Sequence, residues 1–335
     1  MEMEYTALRQ LALVKDWLGE TRIERNMAGD PVNITDHNGK TVSYERGSMG
    51  ERKGIIYPDG RKVRYCYDDQ MRLEKMRMEQ GGNGYEYREI GYAYDFMGRI
   101  SEKQLPEGMR TLWHYDDRGQ LAELVHEDER GILDRYRYEY DFMGNRTAVT
   151  KERRGLREES GRYEYGYDAL SRLVSVSRDG NALRDYAYDT FGNRSGMTDH
   201  GKGRNVSYTY DALNRLISAG EGSLDAMAQG DTVHTDYSYD NRGNMIREET
   251  EGKLLHGYEY GAMNRLAKAW DDKGQEALYR YNGLGQRTGK TVNGRDEDYL
   301  LDITRPYHNL LGISGEGSNR FWKEGIGRSA LLDAG

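Results

Sequence analysis

The stretch DRYRYEYDFMGNR, residues 134–146, contains the pattern that decides the fold. Its tyrosines alternate with charged residues, which places them on one face of a β-strand, at Tyr136, Tyr138 and Tyr140. Asp141 then stands where a turn begins, and its carboxylate can accept backbone N–H groups there. Gly144 follows three residues later, as in a type I turn. The residues after the turn alternate again, so the stretch predicts one β-hairpin.

The same pattern occurs ten times along the chain, with first tyrosines 21 to 29 residues apart. Repetition at this period indicates a repeat architecture. The ten occurrences are YDDQMRLEKM (67–76), YDFMGRISEK (94–103), YDDRGQLAEL (115–124), YDFMGNRTAV (140–149), YDALSRLVSV (167–176), YDTFGNRSGM (188–197), YDALNRLISA (210–219), YDNRGNMIRE (239–248), YGAMNRLAKA (260–269) and YNGLGQRTGK (281–290).

The fold class predicted from these repeats is all-β. The position after the two variable residues is glycine in six repeats and asparagine or serine in three, which fits the left-handed residue of a hairpin turn with a bulge. A single hairpin of this kind is not stable in water, so successive hairpins should pair side by side. We therefore expect repetitive antiparallel hairpins in a long curled sheet, with tyrosine ladders on one face.

Composition agrees with a thin sheet rather than a thick aliphatic core. The 335 residues include 28 tyrosines, against 4 phenylalanines and 4 tryptophans, and 32% of the residues are charged. Tyrosine suits a strand with one wet face, because its ring packs while its hydroxyl reaches solvent. The balance of 49 Lys and Arg against 57 Asp and Glu, a net charge of −8, argues against a nucleic-acid partner held by phosphate contacts.

Targeting and redox signals are few. Cys66 is the single cysteine, so no intramolecular disulfide can form. The N-terminus lacks the basic and apolar regions of a secretory signal, and no apolar run is long enough to predict a membrane span. A short helix is expected over residues 6–17.

The Y-D-x-x-G-N-R and Y-D-x-x-N-R-L units resemble the YD repeats of the RHS family. Two further segments agree with that family: the turn at residues 57–60, YPDG, with the strand after it, and residues 299–311, YLLDITRPYHNLL. The second segment resembles the bacterial RHS type. The resemblance covers residues 10–320, and the chain is expected to be a middle-to-late fragment of such a protein or a truncated product.

The resemblance implies a function as well as a fold. RHS repeats wind into a hollow shell that encloses a variable C-terminal toxin, released inside by an aspartate-dependent self-cleavage at a D-P-x-G-L-type segment. This chain contains no such segment. The expected partners are therefore a toxin domain or the remainder of a shell, and the family implies a secreted or cell-surface location. The predicted divisions are degenerate YD-like repeats at 1–56, the YD array at 57–290, an RHS core-like segment at 291–320 and a divergent tail at 321–335.

Motifs for chemistry are lacking, so no catalytic, cofactor-binding or metal-binding residue is predicted and the chain is not expected to be an enzyme. The seven histidines show no metal-ligand spacing. Adjacent acids on a strand point to opposite faces and cannot form a carboxylate dyad, at Asp68-Asp69, Asp116-Asp117 and Asp271-Asp272. Gly201-x-Gly203 and Gly312-x-x-Gly315-x-Gly317 do not match a phosphate-binding pattern and are interpreted as loops.

Two side-chain types leave alternatives open. The arginines that follow the turns could bind an anion, but pairing with a turn aspartate is favoured, for Arg146, Arg172, Arg194, Arg215 and Arg265. The tyrosine rows could stack on sugars, but packing is favoured. The first functional hypothesis is a structural scaffold, part of a shell that encloses or presents a toxin in bacterial competition. The alternative is a carbohydrate-binding adhesion module.

Overall fold

The computed structural model describes residues 1–79, 87–224, 232–305, 309–315, 318–322 and 331–334. Within these residues the chain forms 30 β-strands and two single-turn 3₁₀ segments, Pro106–Gly108 and Arg157–Glu159. The prediction of an all-β fold built from antiparallel hairpins is confirmed.

The strands follow one another with short connections. The first ten are β1 (Glu2–Tyr5), β2 (Leu11–Asp16), β3 (Gly19–Arg25), β4 (Pro31–Thr35), β5 (Thr41–Arg46), β6 (Arg52–Ile56), β7 (Lys62–Tyr67), β8 (Leu73–Glu79), β9 (Tyr87–Tyr94) and β10 (Ile100–Gln104). The next ten are β11 (Arg110–Tyr115), β12 (Leu121–Asp128), β13 (Gly131–Tyr140), β14 (Arg146–Arg153), β15 (Gly161–Tyr167), β16 (Leu173–Arg178), β17 (Asn181–Tyr188), β18 (Arg194–Asp199), β19 (Arg204–Tyr210) and β20 (Leu216–Ser223). The last are β21 (Val233–Tyr239), β22 (Met245–Thr250), β23 (Lys253–Tyr260), β24 (Leu266–Asp271), β25 (Glu276–Tyr281), β26 (Arg287–Val292), β27 (Arg295–Asp302), β28 (Asn309–Gly315), β29 (Ser318–Trp322) and β30 (Leu331–Ala334).

Eight YD hairpins, β9–β10 among them, pair their two strands in the same register. In β13 and β14, Tyr138 lies opposite Val149 and Tyr140 lies opposite Arg146, with a β-bulge between Glu139 and Tyr140. The bulge recurs next to the YD tyrosine in β11–β12, β15–β16, β17–β18, β19–β20, β23–β24 and β25–β26. Because the register repeats, the same side chain of every hairpin reaches the same place in the sheet.

The chain divides into two compact units. Unit 1 comprises residues 1–64, 79–85 and 237–335, and unit 2 comprises residues 65–78 and 86–236. Unit 1 therefore brings together strands from both ends of the chain, whereas most of unit 2 is the array of YD hairpins from β9 to β20.

Unit 1 contains most of the buried aliphatic side chains. They come from its early strands and from its late strands: Leu13, Val14, Ile23, Ile34, Val42, Ile55, Val63, Leu300 and Leu311. Hydrogen bonds also join the two sets of strands. The indole Nε1 of Trp17 donates to the carbonyl oxygen of Tyr281 at 3.0 Å. Lys40 Nζ donates to Ser314 Oγ at 2.5 Å.

Unit 2 buries hydrophobic side chains in β7 to β9, at Tyr65, Met76, Met78 and Ile90, but few in its YD array. Among the described residues from β11 to β20, the buried hydrophobic side chains are Val125, Ala148, Val149 and Val206. In β13, Tyr136, Tyr138 and Tyr140 are half-buried. The side chains between them, on the other face, are exposed at Arg137 and Glu139. The sequence prediction of a tyrosine-rich sheet without a thick core therefore describes this unit well.

The helix expected over residues 6–17 is wrong. Residues 11–16 form β2, and Thr6 begins a turn in which Arg9 N donates to the carbonyl oxygen of Thr6 at 2.9 Å. Arg9 adopts a φ of 58°, the left-handed conformation that ends a YD turn. The stretch YTALRQL is a YD hairpin turn in which threonine replaces aspartate, so the tertiary pairing of β1 with β2 overrides its helical propensity.

Candidate functional site

The repeated feature of the molecule is the turn that follows each tyrosine. At Asp141 the backbone N–H donates to the carbonyl oxygen of Asn145 at 2.9 Å, and Gly144 N donates back to the carbonyl oxygen of Asp141. Asp141 Oδ1 accepts from the backbone N–H groups of Met143 and Asn145, both at 2.9 Å. Gly144 has a φ of 86°. The predicted turn is confirmed, with the aspartate as its cap and a left-handed residue at its end.

The turn carboxylates are held in the ionised form. The Asn145 side-chain amide is the largest influence on the pKa of Asp141, which lies below its usual value. For Asp168 the largest influence is the backbone N–H of Arg172, and that pKa is also lowered. Hydrogen bonds to an ionised carboxylate favour that form, so these two caps are fixed negative charges at neutral pH.

In six repeats the hydroxyl of the YD tyrosine links the repeat to the one before it. Each hydroxyl donates to the carbonyl oxygen of the residue six positions after the preceding YD tyrosine, at 2.8–2.9 Å. The six bonds, which we call the tyrosine latches, are Tyr94 to Leu73, Tyr115 to Ile100, Tyr140 to Leu121, Tyr167 to Arg146, Tyr188 to Leu173 and Tyr210 to Arg194. Sequence reasoning missed them, although the constant spacing within each repeat is their signal.

The arginines after the turns fall into two groups. Where arginine directly follows the left-handed residue, its Nε pairs with the turn aspartate: Arg172 with Asp168 at 2.7 Å and Arg215 with Asp211 at 2.6 Å. These two predicted pairs are confirmed. The Arg172 guanidinium also lies 4.7 Å from the ring centre of Tyr188, the latch tyrosine of the next repeat. Such a cation–π contact adds about 0.5–1 kcal/mol at an exposed site.

The other three predicted pairs are wrong. In the Gly-Asn-Arg turns the asparagine side chain, and not the arginine, bonds the turn aspartate: Asn145 Nδ2 donates to Asp141 Oδ2 at 2.9 Å. Arg146 instead stacks on Tyr138 at 4.6 Å, and Arg194 stacks on Tyr208 at 4.5 Å. Arg265 follows a turn that begins with glycine in place of aspartate, and it stacks on Tyr281 at 5.6 Å.

Neighbouring turns are also joined by side-chain hydrogen bonds. These bonds run from a turn that ends in Gly-Asn to a turn with asparagine or serine at the left-handed position, so the two classes of turn alternate. Asn193 Nδ2 of a Gly-Asn turn donates to Oδ1 of Asn214, the left-handed residue of the next turn, at 2.8 Å. Asn244 reaches Asn264 in the same way at 2.6 Å, and Asn145 reaches Ser171 Oγ at 3.1 Å. A glycine in the second turn would offer no side-chain acceptor. This explains why asparagine or serine stands there.

The face opposite the tyrosines carries an ion-pair network. In β12, β13 and β14, Arg137 bonds Glu123 at 2.9 Å and Glu152 at 3.0 Å, while Arg135 lies 3.2 Å from Glu152 and 3.4 Å from Glu123. The four side chains form a closed ring across three strands. Each exposed pair contributes little alone, but the ring fixes the register of these strands.

A buried charge cluster lies among the described residues of unit 1. Asp302 is fully buried at the end of β27, and its Oδ2 lies 2.7 Å from Nη1 of Arg52 in β6, which is 6% exposed. Asp302 Oδ1 accepts from the Tyr44 hydroxyl at 3.0 Å and from the Thr304 hydroxyl at 2.6 Å. Burial opposes ionisation of Asp302, but the Arg52 charge and the Thr304 hydrogen bonds outweigh it and leave the pKa lowered.

The acidic pairs and the glycine-rich segments noted in the sequence belong to turns, connections and strands. Asp68, Asp116 and Asp271, the first members of the acidic pairs, each cap a turn. Gly201 and Gly203 lie in the connection after β18, as predicted. The loop interpretation is wrong for Gly312 and Gly315, which belong to β28. A Cβ at Gly315 would lie 2.6 Å from the Asp296 carbonyl oxygen, so glycine permits a close strand approach there. Gly317 lies outside the described residues.

The described part of the chain contains no group of three or more His, Cys, Asp or Glu that could hold a metal ion. In the same part, no helix is long and apolar enough to cross a bilayer. Of the histidines, His200 bonds Asp185 at 2.7 Å and His256 bonds Glu248 at 2.9 Å. Three residues of the segment TRPYHNLL lie outside the described residues: Pro306, Tyr307 and His308.

Comparison with known proteins gives a consistent class. The family model for the Teneurin YD-shell matches residues 135–296. Double-stranded DNA deaminase toxin A of Burkholderia cenocepacia (strain H111) is 25% identical over 332 residues, covering 91% of this chain and 22% of that protein. Probable deoxyribonuclease RhsB of Dickeya dadantii (strain 3937) is 28% identical over 276 residues, covering 78% of this chain and 16% of that protein.

A solved structure shares the fold. The crystal structure of TcdB2-TccC3-Cdc42 superposes with a TM-score of 0.65 at 14% identity, covering all of this chain and 19% of that one. The hairpin repeats and these matches make the chain similar to YD-shell proteins. More particularly, it resembles RHS-type proteins, and it spans about one fifth of the length of the relatives it matches.

Proposed function

We propose that this chain is a non-enzymatic wall segment of an RHS-type shell, which encloses or presents a C-terminal toxin in competition between bacteria. The observation that carries the proposal is the row of tyrosine latches, which joins six successive YD tyrosines to the repeat before them. A wall needs continuity from unit to unit more than it needs a deep pocket. The latches supply that continuity at one fixed place in each repeat.

The names of the relatives support the toxin part of the proposal. One is a DNA deaminase toxin and another a probable deoxyribonuclease, and this chain matches only 22% and 16% of their lengths. The partners proposed for this chain are accordingly a toxin domain and the remainder of a shell, at a secreted or cell-surface location.

The domain boundaries at 56, 290 and 320 remain part of this proposal. In it, the early strands of unit 1 and the YD array both serve as wall. The self-cleaving segment of the family is not assigned to any residue of this chain.

Carbohydrate binding has no observation in its favour. Sugar stacking needs open aromatic faces, whereas arginines cover the rings of Tyr94, Tyr115, Tyr138, Tyr188 and Tyr208 at 4.2–4.7 Å.

A protease-protection experiment tests the proposed function. The complete open reading frame that encodes this chain would be expressed, and the product treated with proteinase K. We expect the sequence beyond the repeats to resist digestion until urea opens the repeats. Digestion of that sequence as fast in the native product as when expressed alone would contradict the proposal.

The matched control weakens the wall without removing it. A variant with Tyr140→Phe, Tyr167→Phe and Tyr188→Phe loses three latches but keeps every ring. Protection should then fail at a lower urea concentration than in the parent protein. A variant with Tyr138→Phe, whose hydroxyl is not a latch, should behave like the parent.

A further inference from the structure

Six turns of unit 2 lie side by side and form one edge of its sheet, which we call the turn rim. The turns span residues 95–99, 116–120, 141–145, 168–172, 189–193 and 211–215. Bonds between turns show that they are neighbours, as between Asn145 and Ser171 and between Asn193 and Asn214. Adjacent turns are two strands apart, or about 9.6 Å at the usual strand spacing.

The tips of the turn rim are apolar and exposed. Phe96 is 95% exposed, Phe142 is 86% exposed and Phe191 is 81% exposed. Four further large side chains continue the row, and each is at least 66% exposed: Met97, Met143, Leu170 and Leu213.

The turn itself does not need these side chains. Its geometry rests on the aspartate cap and the left-handed residue, and the two positions between them only point outward. The turn at residues 116–120 has the same backbone bonds with Asp117 and Arg118 at those positions. An internal example therefore shows that charged residues serve the turn equally well.

The opposite edge of the same sheet is mostly polar. Its connections between strands carry Glu129 and Arg130 after β12, Asp179 and Gly180 after β16, and Lys202 after β18. Met109 and Leu156 also lie on this edge, but they are only 37% and 38% exposed, so the strongly exposed apolar side chains of the described part of unit 2 are concentrated on the turn rim.

The exposed area matches what an interface requires. With three phenylalanines of about 150–250 Å² each and four smaller Met and Leu side chains, the seven tips together expose on the order of 1,000 Å². The largest apolar patch of a typical monomer is about 300–600 Å², and each partner of a standard interface contributes about 800 Å².

We propose that two copies of this chain associate through their turn rims. From the turn at 141–145 to the turn at 211–215 the apolar tips form an uninterrupted row about 9.6 Å apart, and the gaps in it can receive the tips of a second, antiparallel row. The charged tip of the turn at 116–120 separates this row from Phe96 and Met97. Burial of these side chains removes their exposed apolar area from water, which favours association. This inference concerns the isolated chain and does not depend on the proposed shell function.

The first experiment measures mass in solution by light scattering coupled to gel filtration. The parent protein should show about twice the mass of one chain, in line with a twofold dimer. The variant carrying both Phe142→Asp and Met143→Arg should shift to the mass of one chain. It copies the Asp-Arg pair of the turn at 116–120, so its circular dichroism and urea midpoint should match the parent. A monomeric parent, or a variant that remains dimeric, would overturn the proposal.

Cysteine cross-linking locates the contact. In a Cys66→Ser background, Leu170→Cys on the turn rim should form an intermolecular disulfide on mild oxidation. Glu129→Cys on the polar edge is the matched control and should remain a monomer on a non-reducing gel. Cross-linking of Glu129→Cys without cross-linking of Leu170→Cys would place the contact on the other edge and refute the proposal. Neither readout depends on protection of a toxin.

Discussion

The left-handed position of each YD turn favours glycine, and some repeats place a residue with a side chain there. Six YD repeats place glycine there, but Met71 adopts a φ of 59°. A side chain in this conformation costs about 1–2 kcal/mol, and glycine avoids most of that cost. We expect Met71→Gly to raise the free energy of unfolding by about 0.5–1 kcal/mol in urea titration. Gln70→Gly, one residue earlier and outside the left-handed region, should bring no gain. Equal effects of the two changes would contradict this reading.

Asp302 is the most consequential single side chain of unit 1. Asp302→Asn would leave the Arg52 guanidinium buried without its counter-charge, and loss of one partner of a buried pair costs about 3–5 kcal/mol. We expect a large fall in the urea midpoint. Asp296→Asn is the control, because Asp296 pairs with Arg280 while 65% exposed and should cost less than about 1 kcal/mol. A small effect of Asp302→Asn would show that the cluster is not a principal tie within unit 1.

At the scale of the hairpin, the latch can be separated from ring packing within one strand. Tyr140→Phe removes the hydroxyl that bonds the Leu121 carbonyl oxygen at 2.8 Å. We expect it to cost about 0.5–1.5 kcal/mol, the usual net value of such a bond. Tyr138→Phe keeps the ring under Arg146 and should be close to neutral. Urea titration of both variants tests the difference, and equal losses would assign the stabilisation to something other than the latch.

The contact between neighbouring turns can be measured as a coupling energy. Asn214→Gly relieves a left-handed asparagine but removes the acceptor of the bond from Asn193. We expect Asn214→Gly to be stabilising in an Asn193→Ala background and less so, or destabilising, in the parent. The difference in free energy of unfolding should be about 0.5–1.5 kcal/mol. Additive effects in this double-mutant cycle would mean that the bond between Asn193 and Asn214 contributes no coupling energy.

At the scale of the whole molecule, the turn carboxylates predict acid sensitivity. Hydrogen bonds lower the pKa of Asp141, Asp168, Asp189, Asp211 and Asp240 in the folded protein. The stabilisation is therefore complete above the unfolded-state pKa of about 4 and is lost as the pH falls below it. We expect the urea midpoint to decline between about pH 5 and about pH 3, the interval around the unfolded-state pKa of aspartate. A midpoint unchanged over this interval would show that the caps do not stabilise the fold.

The buried tyrosines predict that the folded protein also loses stability at high pH. Burial raises the pKa of Tyr92 to about 12, and it also raises the pKa values of Tyr94, Tyr167 and Tyr210. Tyrosines ionise more readily in the unfolded chain, so stability is complete below pH of about 10 and falls as the pH rises through the folded-state values. Tyrosinate absorbance and circular dichroism should change together in an alkaline titration. Full ionisation before any loss of the sheet would contradict the assignment.

Local pattern was enough to predict the hairpins but not the bonds between them. The Asp141 cap and the left-handed Gly144 follow from turn chemistry within five residues. The turn at Thr6 escaped detection because threonine replaces the aspartate that marks the repeat. The pair between Asp302 and Arg52 joins residues 250 positions apart, and no periodicity reports such a contact. The latches fall between these cases, since their spacing is visible but their acceptor is a backbone carbonyl common to every residue.

The two alternating turn classes have a consequence for how such a chain can change length. From the turn at 141–145 to the turn at 261–265, a Gly-Asn turn is always followed by one with asparagine or serine at the left-handed position. Loss of one hairpin would put two turns of the same class beside each other and remove a donor or its acceptor. The smallest neutral insertion or deletion is therefore a pair of hairpins. Gene duplication within this array should proceed in steps of two repeats.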